Sequence, residues 1–214
     1  MRDLYILGSS GHAREMAQLV RQINSVAPRW RFMGYVAQAD EEVGRTLSYG
    51  QVVGTDGWLM QQTFEADAVI GIGYPGVRRK VADRFADCRN LAWPNLIHPG
   101  AQVEPDAVMM GRGNVVTRNC VLTCDIEMAD FNHLNWAVTV GHDARLGSFN
   151  VINPGANISG GVTLHDQILI GTGAQVLEGI EIASRSTIGA GAVVTSSIDV
   201  EGGTHVGVPA ACRK

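Results

Sequence analysis

The stretch from Val140 to Val194 reads VGHDARLGSFNVINPGANISGGVTLHDQILIGTGAQVLEGIEIASRSTIGAGAVV, with an apolar residue at every sixth position. The same spacing extends back to Met110. Every position of the series from there to Ile188 is apolar: Met110, Val116, Leu122, Met128, Leu134, Val140, Leu146, Ile152, Ile158, Leu164, Ile170, Val176, Ile182 and Ile188. A helical period of 3.6 residues cannot hold a strict spacing of six. The repeat therefore predicts a parallel β-helix, in which each hexad forms one short flat side and one corner.

Glycine often follows the apolar residue of a hexad, as at positions 111, 141, 147, 171 and 189. The chain holds 26 glycines in 214 residues, well above the usual share of about 7%. We expect these glycines at corners that need a positive φ or a close backbone approach. Two earlier hexads, which begin at Ile97 and Val103, lie one residue out of phase, and this predicts a small insertion at Met109. A β-sandwich with fortuitous spacing is the alternative.

The first 96 residues follow a different pattern. The apolar run Leu4–Leu7 ends in Gly8-Ser9-Ser10-Gly11-His12, and apolar residues then recur at helical spacing up to about Asn24. Further strands are predicted at 32–36, 52–53, 68–72 and 91–96, with helices at 58–62, after Asp56 as N-cap, and at 77–86. Strands that alternate with helices predict a small parallel α/β domain over residues 1–96, followed by the β-helix over residues 97–214.

Composition narrows the range of partners and compartments. Acidic residues outnumber basic ones by 21 to 17, for a net charge of -4, and no Lys/Arg run reaches five residues, so we expect no nucleic-acid polymer as partner. No apolar run approaches the roughly 20 residues of a membrane span, and Met1–Leu7 is too short and polar for a secretory signal. We therefore expect a cytoplasmic protein with reduced thiols at its four cysteines. The spacing of histidines, cysteines and carboxylates predicts no metal site.

Four motifs narrow the identification further. They are Gly8-Ser9-Ser10-Gly11-His12, Ile97-His98-Pro99, Val140-Gly141-His142-Asp143 and Val206-Gly207-Val208-Pro209-Ala210. With the hexads, they make the chain resemble the hexapeptide-repeat acyltransferases. The closest resemblance is to the sugar acetyltransferases that N-acetylate nucleotide-linked 4-amino sugars or O-acetylate sialic acid. The resemblance implies a left-handed β-helix, a homotrimer with acetyl-CoA between neighbouring β-helices, and an N-terminal, Rossmann-like domain that holds the sugar nucleotide.

The expected catalytic residues surround one corner of the β-helix. His142 is the third residue of its hexad, outside the apolar series, and its ordinary pKa of about 6.5 suits a general base. The resemblance implies that Asp143, the acidic residue after the histidine, raises its basicity. It also implies three hexads per coil, which places Gly160 on the next coil at the same corner. We expect the Gly160 N–H to act as an oxyanion donor, with a purely steric reason for glycine as the alternative.

The 18-residue coil also predicts two columns of stacked amides. Asn114, Asn132 and Asn150 form one inward column, and Asn135 lies over Asn153 in the other. Buried amides must be hydrogen-bonded, so we interpret the columns as structural ladders, with a substrate-binding role as the alternative.

Binding residues follow from the resemblance. Ser10, Gly11 and His12 match the nucleotide-sugar turn, where a glycine turn that opens a helix offers N–H groups to a diphosphate. Gly73 matches a further substrate contact, with a plain strand-end turn as the alternative. Candidate acetyl-CoA contacts fall on a further set: Val151, Thr172 and Ala190. The family's acidic pair after the second strand is missing here, where Val36-Ala37-Gln38-Ala39-Asp40 stands.

Several functions stay open from the sequence alone. N-acetylation of a nucleotide-linked amino sugar and O-acetylation of a sugar hydroxyl both fit, and a non-catalytic β-helix scaffold is a third possibility. A metal-dependent lyase would need three converging histidines, a pattern that His133, His142 and His165 lack. We expect His165 and His205 at the surface. We expect the same of His133, with a second polar group in the groove as the alternative.

Overall fold

The computed structural model describes residues 1–213, which divide into two compact units. The first unit holds Met1–Gly73 and Val77–Pro99, and the second holds Tyr74–Gly76 and the chain from Gly100 onward. The predicted boundary between residues 96 and 97 lies just before this division. No helix within residues 1–213 combines the length and the apolar character that crossing a bilayer requires.

The first unit is an α/β domain around one sheet. The strands of that sheet are β1 (Arg2–Leu7), β2 (Trp30–Ala37), β3 (Thr46–Leu47), β4 (Gly50–Thr55), β5 (Ala66–Ile70) and β6 (Leu91–Ala92), and β7 (Leu96–Ile97) lies outside it. The helices that follow β1, β4 and β5 are α1 (Gly11–Val26), α2 (Asp56–Met60) and α3 (Pro75–Arg84), and Asp40–Glu42 forms a 3-10 helix. The sheet order is β3-β4-β2-β1-β5-β6, with only β3 antiparallel to its neighbour. The chain reverses its direction of travel between β1 and β5, where Rossmann-like folds bind ligands.

Several details of this domain differ from the sequence prediction. The single strand predicted at 91–96 is two short strands, Leu91–Ala92 and Leu96–Ile97. Asp56 is not the N-cap of α2, because the Thr55 side chain occupies that place and accepts a hydrogen bond from Trp58 N at 3.3 Å. The predicted strand 68–72 is instead Ala66–Ile70. At the end of this strand, the buried Arg78 guanidinium donates to the carbonyls of Ile70 and Ile72, at 3.0 and 2.9 Å.

The second unit is a left-handed β-helix built from three faces of short parallel strands. The first face comprises β10 (Val115–Val116), β13 (His133–Leu134), β16 (Val151–Ile152), β19 (Leu169–Ile170) and β22 (Thr187–Ile188), and ends in the hairpin β24 (Thr204–Val206) and β25 (Ala211–Cys212). The second face comprises β8 (Gln102–Val103), β11 (Val121–Leu122), β14 (Thr139–Val140), β17 (Asn157–Ile158), β20 (Gln175–Val176) and β23 (Val193–Val194). The third comprises β9 (Val108–Met110), β12 (Ile126–Met128), β15 (Arg145–Leu146), β18 (Thr163–Leu164) and β21 (Glu181–Ile182).

The apolar series fills the interior of the β-helix. Paired residues from β10 to β22 lie 18 positions apart, as in Val115 with His133, which confirms three hexads per coil. From Val116 to Ile188, each apolar first residue of a hexad is at most 3% exposed. The small residue at the fifth place, such as Val138 or Ala144, is also buried. Each coil therefore contributes the same cross-section to one continuous core.

The corners use glycine for two different reasons. Positive φ values of 56–68° recur at the fourth place of every hexad from Gly113 to Gly191, and eight of these residues are not glycine: Asn119, Asp125, Phe131, Ala137, Asp143, Phe149, Gln167 and Arg185. At the second place, glycine is needed for close approach instead. A methyl group on Gly141 would lie 2.6 Å from the amide nitrogen of Gly160 on the next coil.

Met109 is not an inserted residue, so that prediction is wrong. Met109 pairs with Glu127 in a regular ladder with the usual 18-residue spacing. The extra residue lies in the corner 104–107, because Val103 pairs with Leu122, 19 positions away, while Val108 pairs with Ile126. Met109 looked irregular in the sequence because it lies six residues after Val103, in the earlier phase, and directly before Met110, where the later phase begins.

The inward amide column is a hydrogen-bonded ladder, as predicted. Asn114, Asn132 and Asn150 are fully buried. Asn114 Oδ1 accepts from Asn132 N at 2.8 Å, Asn132 Oδ1 from Asn150 N at 2.9 Å, and Asn150 Oδ1 from Ile168 N at 2.8 Å. Each side chain thus serves the backbone of the next coil. In the second column, Asn135 Oδ1 accepts from its own neighbour Trp136 N at 2.9 Å.

Candidate functional site

His142 and Asp143 form a hydrogen-bonded pair at a corner between the second and third faces of the β-helix. His142 Nδ1 lies 2.8 Å from Asp143 Oδ2, and both side chains are exposed. Asp143 occupies the left-handed fourth place with φ 59°, a conformation that aspartate tolerates better than most residues. The corner therefore directs the carboxylate back toward the histidine that precedes it.

The pairing fixes the proton arrangement of a neutral His142 ring. A carboxylate can only accept a hydrogen bond, so Nδ1 carries the proton and Nε2 keeps its lone pair. Nε2 is therefore the ring atom that can take a proton from a bound acceptor.

The ring of His142 lies directly against Gly160 on the next coil. A methyl group on Gly160 would come within 2.6 Å of His142 Cε1 and 2.7 Å of Nε2, so only glycine leaves room for the ring in this position. Gly161 N donates to His142 O at 2.7 Å, which fixes the two coils in register. Among residues 1–213, the Gly160 N–H has no hydrogen-bond acceptor.

The surroundings of His142 favour its protonated form. The hydrogen bond that His142 donates to Asp143 is the largest cause that raises the pKa of His142 above its ordinary value of 6.5, and the charges of Asp143, Glu178 and Asp125 add to it. Desolvation acts in the opposite direction and is outweighed. His142 is therefore a stronger base than an isolated histidine.

The other histidines of the β-helix behave differently. His133 is only 1% exposed, so the expectation of a surface position is wrong. The residues that pair with it on the two neighbouring strands, Val115 and Val151, are buried as well. His165 is exposed as predicted, with Nε2 2.5 Å from Glu181 Oε1, and His205 is half-buried. Within residues 1–213, no three His, Cys, Asp or Glu side chains are grouped to hold a metal ion.

A cavity of about 500 Å³ lies on the third face of the β-helix, lined in part by Glu127, Arg145, Thr163 and His165. His142 does not line this cavity. The size of a cavity says nothing about proton transfer, whereas the His142 corner supplies a base with a defined free nitrogen. We therefore place the candidate chemistry at the His142 corner.

The predicted substrate residues of the first unit meet at the carboxyl edge of its sheet. Ser10 is the N-cap of α1, and the first turn of that helix contains no acidic residue, so its positive end is available to an anion. Gly11 is exposed and His12 is half-buried. A methyl group on Gly73 would lie 3.6 Å from His12 Nδ1, so the turn after β5 adjoins the turn after β1.

Arg78 organises this edge of the sheet, although no local sequence pattern distinguishes it. Its side chain is fully buried, and burial lowers its pKa to about 10. Burial is also the main cause that lowers the pKa of His12 to about 4, and the charge of Arg78 adds to it. His12 is therefore neutral near pH 7, so it acts at this edge as a polar group without charge.

A carboxylate does reach the glycine turn, although not from the position where the family pattern has its acidic pair. Glu42 Oε2 accepts from Ser9 Oγ at 2.6 Å and pairs with Arg45 at 2.9 Å, and Arg45 Nη2 donates to Ser9 O at 2.8 Å. The acidic run Asp40-Glu41-Glu42 is visible in the sequence and could have indicated this carboxylate. The 3-10 helix that it forms was not predicted.

The three candidate acetyl-CoA contacts lie in different environments. Thr172 and Ala190 are exposed and lie 18 residues apart, on one corner column together with Trp136 and Pro154. Their small side chains leave the outer surface of that corner open to an extended ligand. Val151 is only 1% exposed in β16, so its side chain offers a ligand no free surface in the single chain.

Comparison with known proteins is consistent with this arrangement. Residues 3–85 match the family described as PglD N-terminal domain. A comparison with curated proteins found no match. The acetyltransferase domain of PglB from Neisseria gonorrhoeae, in complex with acetyl coenzyme A, is 31% identical with a TM-score of 0.87, over 99% of both chains.

Two further structures are similar over nearly the whole chain. One is a histidine-to-asparagine mutant of perosamine N-acetyltransferase from Caulobacter crescentus, in complex with CoA and GDP-perosamine. It is 27% identical, with a TM-score of 0.89, over 99% of this chain and 97% of its own. The other is WeeI from Acinetobacter baumannii, 26% identical, with a TM-score of 0.84, over 100% of both chains.

Identity above 30% over essentially the full length, the shared β-helix and the paired N-terminal domain agree with one another. The chain therefore belongs to the hexapeptide-repeat sugar acetyltransferases and is an acyltransferase that uses acetyl-CoA.

Proposed function

We propose that this enzyme N-acetylates the amino group of a nucleotide-linked amino sugar, with His142 as general base. The observation that carries the proposal is the His142–Asp143 pair, which leaves Nε2 as the free nitrogen of an exposed ring. The similarity to a perosamine N-acetyltransferase with bound CoA and GDP-perosamine supports an amine acceptor on a nucleotide sugar.

The mechanism requires no covalent bond to the enzyme. His142 Nε2 accepts a proton from the acceptor amine as the amine nitrogen bonds to the acetyl carbonyl carbon. The bond from that carbon to the CoA sulfur then breaks, and the imidazolium gives its proton to the CoA thiolate. Negative charge develops on the carbonyl oxygen while the amine attacks. The Gly160 N–H, which has no acceptor within residues 1–213, is the proposed donor to that oxygen. Asp143 stabilises the imidazolium that forms.

Ligand binding divides between the two units in this proposal. The turn at Ser10, Gly11 and His12, with Gly73 beside it, holds the diphosphate of the nucleotide sugar. Thr172 and Ala190 line the path of acetyl-CoA along the outside of one corner. The side chain of Val151 is buried, so it does not belong to the proposed path.

We also propose a homotrimer that works in the cytoplasm. Trp136, 46% exposed on the same corner column as Thr172, is an apolar surface that a neighbouring copy would cover. Molar mass from light scattering tests the trimer, and a monomeric mass at working concentration would refute it. The cytoplasmic part of the proposal is supported by the sequence, in which no two cysteines have CxxC spacing and a chain of this size has no need of disulfides.

Thiol release from acetyl-CoA tests the function directly. The wild-type enzyme is assayed with a panel of nucleotide-linked amino sugars and with free sialic acid. We expect turnover with an amino sugar and none with the hydroxyl acceptor. Turnover only with the hydroxyl acceptor would replace N-acetylation by O-acetylation, and no turnover together with no acetyl-CoA binding would refute the catalytic assignment.

Replacing Asp143 with asparagine should move the pH dependence of the reaction. A general base must be neutral, so activity falls as the pH drops through the pKa of His142. Asp143 raises that pKa, so in the Asp143→Asn enzyme the acidic limb of kcat/KM should shift to lower pH, with a lower plateau. Both enzymes act on the same acceptor amine, so the difference between their pH profiles reflects the pKa of His142. Superimposable profiles would contradict the pairing.

Replacing Gly160 with alanine should displace the His142 ring. The backbone of Gly160 does not have a positive φ, so alanine is compatible with it, but the new methyl group would overlap the ring. We expect kcat to fall by up to about 100-fold, as for a catalytic group displaced by roughly 1 Å. In a His142→Ala background the same substitution should have little further effect. An equal loss in both backgrounds would show that Gly160 does not act through the ring.

A further inference from the structure

A cavity of about 260 Å³ opens at the carboxyl edge of the N-terminal sheet. It lies beside Gly8 and Ile72, the residues that follow β1 and precede α3, at the point where the chain reverses its direction through the sheet. Val36, Val77 and Val81 provide apolar walls from β2 and α3. Apolar walls with a few polar groups at the rim are typical of a site for a flat heterocycle.

The polar groups of this cavity are only partly used by the protein. Asp56 is 9% exposed, and its Oδ2 pairs with Arg84. Its Oδ1 has no partner within the described part of the chain, and neither do the side chains of Gln38 and Lys80. Asp56 Oδ1 is not sealed off from solvent, so it is open to a hydrogen-bond donor of a ligand in the cavity.

The carboxylate constrains which nucleobase fits. Asp56 can only accept hydrogen bonds, and each of its oxygens can accept two. Guanine presents two adjacent donors on one edge, the ring N1–H and the exocyclic N2–H. Uracil and thymine present a single N–H between two carbonyl groups, and one of those carbonyls would face a carboxylate oxygen. Adenine and cytosine place an acceptor nitrogen beside their amino group, with the same conflict.

Building on the proposed nucleotide-sugar specificity, we infer that this cavity holds the nucleobase and that Asp56 selects guanine through its N1–H and N2–H donors. Arg84 keeps the carboxylate in place from α3. Lys80, which has no carboxylate partner among the described residues, adds a positive charge that suits an anionic nucleotide. The acceptor substrate would then be a guanosine-diphosphate-linked amino sugar.

Calorimetric titration of the full chain with GDP, UDP, dTDP and ADP tests the base preference without any acetyl transfer. We expect GDP to bind roughly 10-fold or more tightly than each of the others, in the range for one bidentate base contact. Tighter binding of UDP or dTDP would overturn the assignment of guanine. It would leave the proposed acetylation of a nucleotide-linked amino sugar intact, because that reaction is measured separately by thiol release. Absence of binding by all four would overturn the site.

The substitution Asp56→Asn tests the role of the carboxylate by a gain of affinity. The asparagine amide oxygen can accept from the N1–H of xanthine, and its NH2 group can donate to the C2 carbonyl of xanthine. Guanine has an amino group at C2, so it no longer matches. We expect the variant to prefer xanthosine diphosphate over GDP, a reversal that misfolding cannot produce. Asp83→Asn, which removes an exposed carboxylate of α3 paired with Arg79, should keep the preference for GDP. Equal weakening of all diphosphates by Asp56→Asn would show that Asp56 only braces α2 against α3.

Discussion

Replacing His142 with alanine should lower kcat by roughly 100- to 10 000-fold, the range for loss of a general base. The side chain is exposed and makes its hydrogen bond to Asp143 alone, so the fold should be unaffected. Binding of acetyl-CoA should persist, because the candidate contacts Thr172 and Ala190 lie on a different corner. Thiol release under saturating substrates measures the loss, and a thermal melt checks the fold.

The matched control for this variant is His165→Ala. His165 is also an exposed histidine of the β-helix, and it too pairs with a carboxylate, that of Glu181. Its loss should leave kcat within a few-fold of the wild type. Full activity in the His142 variant, or an equal loss in both variants, would refute the role of His142 as base.

The largest effect on stability is expected at the centre of the amide ladder. Asn132→Leu removes the acceptor of Asn150 N and the donor to Asn114 Oδ1, all in the interior. A buried backbone N–H left without an acceptor costs roughly 1–3 kcal/mol of unfolding free energy. For a chain of this size that corresponds to a fall in Tm of about 2–4 °C per kcal/mol. Activity at a temperature well below Tm should change little.

Asn157→Leu is the comparison that isolates burial. Asn157 also stands in a column of hydrogen-bonded side chains, between Thr139 and Gln175, but on a half-exposed position of β17. Water can replace the lost bonds there, so its Tm should fall less than that of Asn132→Leu. A larger loss of activity than of stability in Asn132→Leu would instead favour a substrate-binding role for the column.

The hexads were predictable because the same physical constraint recurs in every coil. A single irregular position does not obscure the repeat, because the next hexad shows the same pattern again. The inward amides at 114, 132 and 150 follow from the spacing of 18 residues per coil. The His142 corner could be located for the same reason, since its place in the hexad excludes it from the core. Met109 was misjudged because a change of phase shows only that one residue is extra, without showing where in the corner it lies.

Features that depend on tertiary contacts were not predictable from local sequence. His133 has the outward place of its strand, and only the folded chain shows that this part of the first face is buried. Arg78 belongs to a helix rich in basic residues, and nothing local distinguishes the buried guanidinium from its exposed neighbour Arg79. Glu42 reaches Ser9 across 33 residues of sequence, so its role depends on the packing of two loops.

The hairpin β24–β25 determines how far the stack of coils can grow. A parallel β-helix exposes the unpaired N–H and C=O groups of its last coil, and these are a template onto which another molecule could polymerise end to end. On the first face, β24 pairs in parallel with β22, whereas β25 turns back and pairs antiparallel with β24. A following parallel coil would thus meet a two-residue strand of opposite direction. On this face, the reversal therefore opposes end-to-end growth by further parallel coils.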